Sequence, residues 1–71
     1  MAAISLILKN QSSTDIELDL TDQYGGNFNA QIPASTSQNH TLMEGSKIKS
    51  HEQALHTVNA EDTNKEIVIA E

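Results

Sequence analysis

The sequence predicts an all-β fold: a small antiparallel β-sandwich or barrel of six or seven short strands, forming one domain over residues 1–71. Two observations carry this reading. Ile16, Leu18 and Leu20 alternate strictly with Glu17 and Asp19, the period of a strand with one dry face and one wet face. Turn-forming clusters also interrupt the apolar residues about every ten positions, the spacing of small all-β domains.

The first strand is expected over residues 4–8, where Ile4, Leu6 and Leu8 share one face. Asn10 to Thr14 follow as a polar break whose side chains hydrogen-bond nearby backbone. The expectation is a β-hairpin with a small loop joining this run to the strand of residues 16–20, its apolar face covered by the rest of the chain. Gly25-Gly26 marks a second turn. Phe28, Ala30 and Ile32 alternate with Asn27, Asn29 and Gln31 as a third strand, which Pro33 ends because proline cannot donate to a ladder. Residues 34–38 read as a polar loop. His40 and Leu42 share a face of a fourth strand, and Glu44-Gly45-Ser46 turns the chain. Lys47-Ile48-Lys49 forms a short fifth strand with its lysines outward.

Residues 51–60 are ambiguous. Ser50 with Gln53 fits a helix capping box, whereas the β-branched end of Leu55-His56-Thr57-Val58 favours a strand, the reading adopted here. Glu66-Ile67-Val68-Ile69-Ala70 is a last strand. The first and last strands are apolar on both faces: Ile7 opposes Ile4, Leu6 and Leu8, and Val68 opposes Ile67 and Ile69. Such strands lie inside a sheet covered on both sides; the expectation is that both are interior strands, side by side being one arrangement that fits. The alternative is that a second subunit covers one of their faces.

Charge and composition narrow the function. The net charge is −6, with 4 basic residues, all of them lysine. Nucleic acid and anionic membranes require neutralising cations and favour arginine, so neither is an expected partner. With 0 cysteines there is neither a disulfide nor a thiolate metal site. A chain this short buries only about 60% of its unfolded surface, and without a staple association is the remaining usual source of stability. No basic leader and no run of about 20 apolar residues is present. The expected compartment is the cytoplasm, with a secreted or virion-borne chain as the alternative. Asn10-Gln11-Ser12 and Asn39-His40-Thr41 match the glycosylation pattern, which matters only on a secretory route.

No catalytic constellation emerges. His51-Glu52-Gln53-Ala54-Leu55-His56 approximates the zinc-protease motif, but that motif needs histidines four apart on one helical face. Here they stand at positions 51 and 56, on opposite faces of a strand. Asp15, Glu17, Asp19 and Asp22 lack the spacing of a calcium loop. There is no nucleophile elbow and no phosphate-binding loop. The expectation is a non-enzymatic interaction or structural module with no catalytic, cofactor or metal residues. It would self-associate into a homo-oligomer through strand faces or edges. The expected contact residues are Ile7 and Val68, together with Tyr24, Gly25 and Gly26 in the second turn, since loop tyrosines are enriched at contact sites. The alternative is a small-ligand or cation site in the loop between Asp22 and Phe28, or on the acidic face of the second strand.

Overall fold

The computed structural model describes residues 2–71 and is all-β. The strands are β1 (Ala3–Asn10), β2 (Ile16–Thr21), β3 (Asn27–Ile32), β4 (Thr36–Met43), β5 (Lys47–Ser50), β6 (Gln53–Thr57) and β7 (Glu66–Ala70), with a 3-10 turn over Ala60–Asp62. They form two sheets, one of three strands in the order β4-β1-β7 and one of four in the order β3-β2-β5-β6. The two sheets pack as a small sandwich.

The inner faces follow the period-two pattern. Ile4, Leu6 and Leu8 from β1 meet Leu18 and Leu20 from β2, Ile32, Leu42, Ile48, Val58 and Ile69 in one buried cluster. The cluster is wholly aliphatic. Phe28 packs against it half-buried, as do Ile16, Ala30 and Ile67. Burying side chains of this kind is the main favourable term available to the chain, at roughly 1.5–3 kcal/mol each.

The expected hairpin between the first two strands does not form. β1 pairs antiparallel with β4 and parallel with β7, whereas β2 pairs with β3 and β5. Residues 11–15 therefore cross from one sheet to the other. Alternation specifies which face is dry, and two facing sheets satisfy it as well as one hairpin does. The adjacency of the first and last strands does hold, with Leu8 opposite Ile67. Their burial on both faces does not. β1 is central and β7 is an edge, and their outer faces carry a half-buried Ile7 and a Val68 that is 41% exposed.

Asn10 governs the crossing. Its side chain is fully buried, at 0% exposure. The amide donates to the Thr14 carbonyl at 2.8 Å and to the Ile32 carbonyl at 2.9 Å. Its Oδ1 accepts from Ser12 N–H at 2.9 Å and Ser12 Oγ at 2.6 Å. Both donor hydrogens and the acceptor oxygen are thus used, and the end of β1 is tied to the end of β3 in the opposite sheet.

The fourth strand begins earlier than expected, so Thr36 to Gln38 belong to the ladder, opposite Asn10, Lys9 and Leu8. Their polarity fits an edge strand, whose ladder bonds need no apolar side chains. Gln38 faces inward beside Leu8, and its Nε2 donates to the Gln31 carbonyl of β3 at 3.0 Å. Residues 53–57 form a strand, as favoured, ending one residue before the buried Val58. It is reached through a two-residue turn in which both His51 (φ 51°) and Glu52 (φ 66°) are left-handed. That conformation strains ordinary side chains, and the adjoining register shift between Ile48 and Lys49 bulges the pair.

Two outcomes follow. Asn10→Ala removes the buried amide that donates to the Thr14 and Ile32 carbonyls and is expected to cost about 1–3 kcal/mol, read as a lowered urea midpoint with little change in slope. Replacing His51-Glu52 with Asn-Gly, which suits paired left-handed residues, is expected to stabilise by about 1 kcal/mol and raise Tm by about 4–8 °C. An unchanged Tm would show that this turn stores no strain.

Candidate interaction surface

The outer face of the smaller sheet is built from every second residue of its strands. Ser5, Ile7 and Lys9 of β1 stand beside Thr41, Asn39 and Ser37 of β4, and Ile7 and Lys9 stand beside Glu66 and Val68 of β7. Ile7 and Val68 are thus diagonal neighbours. Lys9 Nζ pairs with Glu66 Oε1 at 3.3 Å next to them, and Ser5 Oγ bonds Thr41 Oγ1 at 3.1 Å. Beside Ile7 lies a shallow cavity of about 220 Å³, lined by Ser5, Asn39, Thr41 and Asn64 among others.

β7 also presents its edge. In a parallel ladder, alternate residues turn both backbone groups to the neighbour. Ile7 N–H donates to the Lys65 carbonyl at 2.9 Å, so Lys65, Ile67 and Ile69 face β1. The backbone groups of Glu66 and Val68 face outward. At the far end, where the register shifts between Lys9 and Asn10, the Ala70 carbonyl turns back to accept from Gln11 N–H at 2.8 Å.

Tyr24, Gly25 and Gly26 lie elsewhere, at the tip of the β2–β3 hairpin. Asp22 shapes this tip: its Oδ1 accepts from Tyr24 N–H at 2.8 Å and from Gly26 N–H at 2.9 Å. Gly25 adopts φ +88°, a conformation closed to most side chains. Tyr24 is 85% exposed. The expected contact residues therefore fall in two places, Ile7 with Val68 on one sheet and the Tyr24 turn at the end of the other.

The acidic row of β2 does not converge. Asp15 Oδ1 accepts from Ala34 N–H at 2.9 Å, Asp22 shapes its turn, and Asp19 stands opposite Lys49 of β5. The larger sheet's wet face holds an open groove of about 660 Å³, lined by Asp19, Thr21, Asn27, Asn29, Lys47 and Lys49 among others. Among the described residues, no group of three or more His, Asp or Glu side chains is gathered to hold a metal ion. Nor is any helix long and apolar enough to cross a membrane.

The histidines take separate places. His51 is exposed at its turn. His56, on β6, donates from Nε2 to Asp62 Oδ2 at 2.7 Å. Asp62 is buried, and its Oδ2 also accepts from Asn59 N–H at 3.0 Å. Desolvation raises the Asp62 pKa, but the bonds from His56 and Asn59 outweigh it, with the charges of His56 and Lys65 adding to them. The carboxyl is therefore held below its ordinary range. His40 shares the inner face with Leu42, as expected, and is half-buried, with Nε2 3.1 Å from Gln38 Oε1 and its ring 6.0 Å from that of Phe28. Burial lowers its pKa. Sequence reasoning missed Asn10, Gln38 and Asp62. Asp62 has a local signature, as the third residue after Asn59 in a capping pattern, and Asn10 has one only as a turn residue.

Compared with family models, with curated proteins and with solved structures, the chain matches none.

Both shifts make stability depend on acid. The fold resists protonation of His40, so the unfolded chain binds that proton first, and stability falls as pH drops through about 6.5. Asp62 stabilises above its unfolded pKa of about 3.9, and that stability is lost as pH falls through the lower folded value. Thermal melts from neutral to acid pH are expected to show both losses. His40→Gln should flatten the first and Asp62→Asn the second. A Tm unchanged between pH 7.5 and pH 5.5, each approximate, would remove His40 from the account.

Proposed function

We propose that this chain is a non-enzymatic interaction module that self-associates through its smaller sheet. One observation carries the reading: Ile7 and the 41%-exposed Val68 form an apolar pair on an outer sheet face that ends in an apolar edge strand. Exposed strand edges are templates for pairing with another chain, and β-augmentation uses them. A chain of net charge −6 repels its own copies at long range, but at this face the Lys9–Glu66 pair neutralises its charges. Copies meeting here bring no uncompensated like charges from that pair into contact.

The contact area is small compared with the ~1,600 Å² of a standard interface, so the association is weak and concentration-dependent. Light scattering on a sizing column, from about 10 μM to about 1 mM, is expected to show mass rising with concentration. Val68→Asp should hold the chain monomeric while circular dichroism keeps its β signature. A monomeric mass across the whole range would overturn the reading.

A further inference from the structure

The proposal that follows rests on that self-association and specifies its geometry. We infer that two copies join β7 to β7 antiparallel, about a two-fold axis through Val68, making one continuous sheet in the order β4-β1-β7-β7-β1-β4.

The sequence of the edge is self-complementary in this register. Residues 65–71 read Lys-Glu-Ile-Val-Ile-Ala-Glu. Centred on Val68, the register sets Val68 against Val68, Ile67 against Ile69, Glu66 against Ala70 and Lys65 against Glu71. The apolar residues meet each other, and the two terminal charges of the segment meet with opposite sign. Lys65 and Glu71 are both exposed and make no ion pair within the chain among the described residues. Such a contact is isologous, so each favourable pair off the axis occurs twice.

The backbone agrees from Glu66 to Ile69, while beyond the bulge the Ala70 carbonyl is turned to Gln11 N–H and is not offered to the partner strand. Val68 and Glu66 turn their N–H and C=O groups outward, as the phase of the β1 ladder requires. Val68 therefore falls in a hydrogen-bonded antiparallel pair with its mate, and Ile67 with Ile69 falls in the closer, non-hydrogen-bonded pair, where apolar side chains pack best. A two-fold axis perpendicular to the sheet keeps like faces together. Val68 would be covered by its own copy on the outer face, and the half-buried Ile67 would be covered by Ile69 on the inner face. β7 contains no proline and no lysine, two residues that commonly blunt an edge.

The test uses the intact chain. Val68→Pro removes an outward N–H that β1 does not use, and proline is tolerated on edge strands. It is expected to weaken association by about 30-fold or more, several hydrogen bonds and the packing of the axis being lost together. Lys65→Glu and Glu71→Lys each set like charges opposite one another, and each is expected to weaken association about 5-fold. The double swap should restore it, an outcome that does not depend on how well the proline variant folds. The chain has no native cysteine, so Val68→Cys places one thiol at the axis. Hydrogen-bonded antiparallel partners lie about 5.5 Å apart at Cα, within the span of a disulfide. Mild oxidation should therefore cross-link Val68→Cys far faster than Leu55→Cys, an exposed site on the larger sheet's edge strand β6. Self-association that persists unchanged through the proline variant and both charge reversals would overturn this register while leaving the proposed function standing. A chain monomeric at about 1 mM would overturn both.

Discussion

The buried amide of Asn10 is the interaction on which the two-sheet arrangement turns. A chain leaving β1 can fold back beside it or cross to the facing sheet. Crossing takes polar backbone through the rim of an aliphatic core, and buried polar groups are costly unless bonded. Asn10 meets that demand by holding the carbonyls of Thr14 and Ile32 while Ser12 satisfies its oxygen. The crossing loop, the end of β1 and the end of β3 thus share one network. The same solution recurs where the rims of the two sheets meet between β3 and β4, with Gln38 bonded to the Gln31 carbonyl and to His40. His56, Asp62 and Asn59 form a third such network beside the 3-10 turn. An aliphatic centre closed by satisfied polar rims lets a short chain without disulfides specify one arrangement.

The inner faces are filled, and the titratable groups that are drawn inward, Asp62 and His40, are explained by the hydrogen bonds they make. The carboxylates on and beside β2 are spread along a wet face: Asp15 and Asp22 accept from backbone N–H groups, and Asp19 stands opposite Lys49. Large apolar side chains stay exposed at three places: Tyr24 at its turn, Leu55 on β6 and Val68 at the edge of the smaller sheet. There the chain places valine and isoleucine on a strand with one neighbour instead of two. That residue choice is the physical basis for reading the molecule as an interaction module.

Much of the architecture was legible because burial imposes a period. Ile4, Leu6, Leu8, Leu18, Leu20, Ile32, Leu42, Ile48 and Ile69 all follow the alternation and all are buried. The turn at Asp22 to Gly26 and the end of β3 before Pro33 were legible too, since glycine and proline act on their own backbone. The two-sided apolarity of the first and last strands led to an interior place for both; β1 is interior and lies beside β7, but β7 is an edge. Asn10 was legible only as a turn residue. Its local bonds to Ser12 and Thr14 lie within its own segment, but Ile32 is far along the chain. Thr36 to Gln38 resembled a loop because an edge strand can be polar throughout. The left-handed pair His51-Glu52 carried no signal, since neither residue type favours that conformation.

By itself, then, the sequence determined the class of fold, the strands and the side of each strand that turns to the core, because those depend on residues close in sequence and on a period of two. It also determined the acidity of the surface and the absence of any thiol staple. Only the tertiary structure decided which strand neighbours which, that β1 and β2 belong to different sheets, and that β7 is an edge. Alternating side chains are indifferent to the identity of the neighbouring strand. Neighbours are selected by groups distant in sequence such as the Ile32 carbonyl, which Asn10 reaches only in the folded chain.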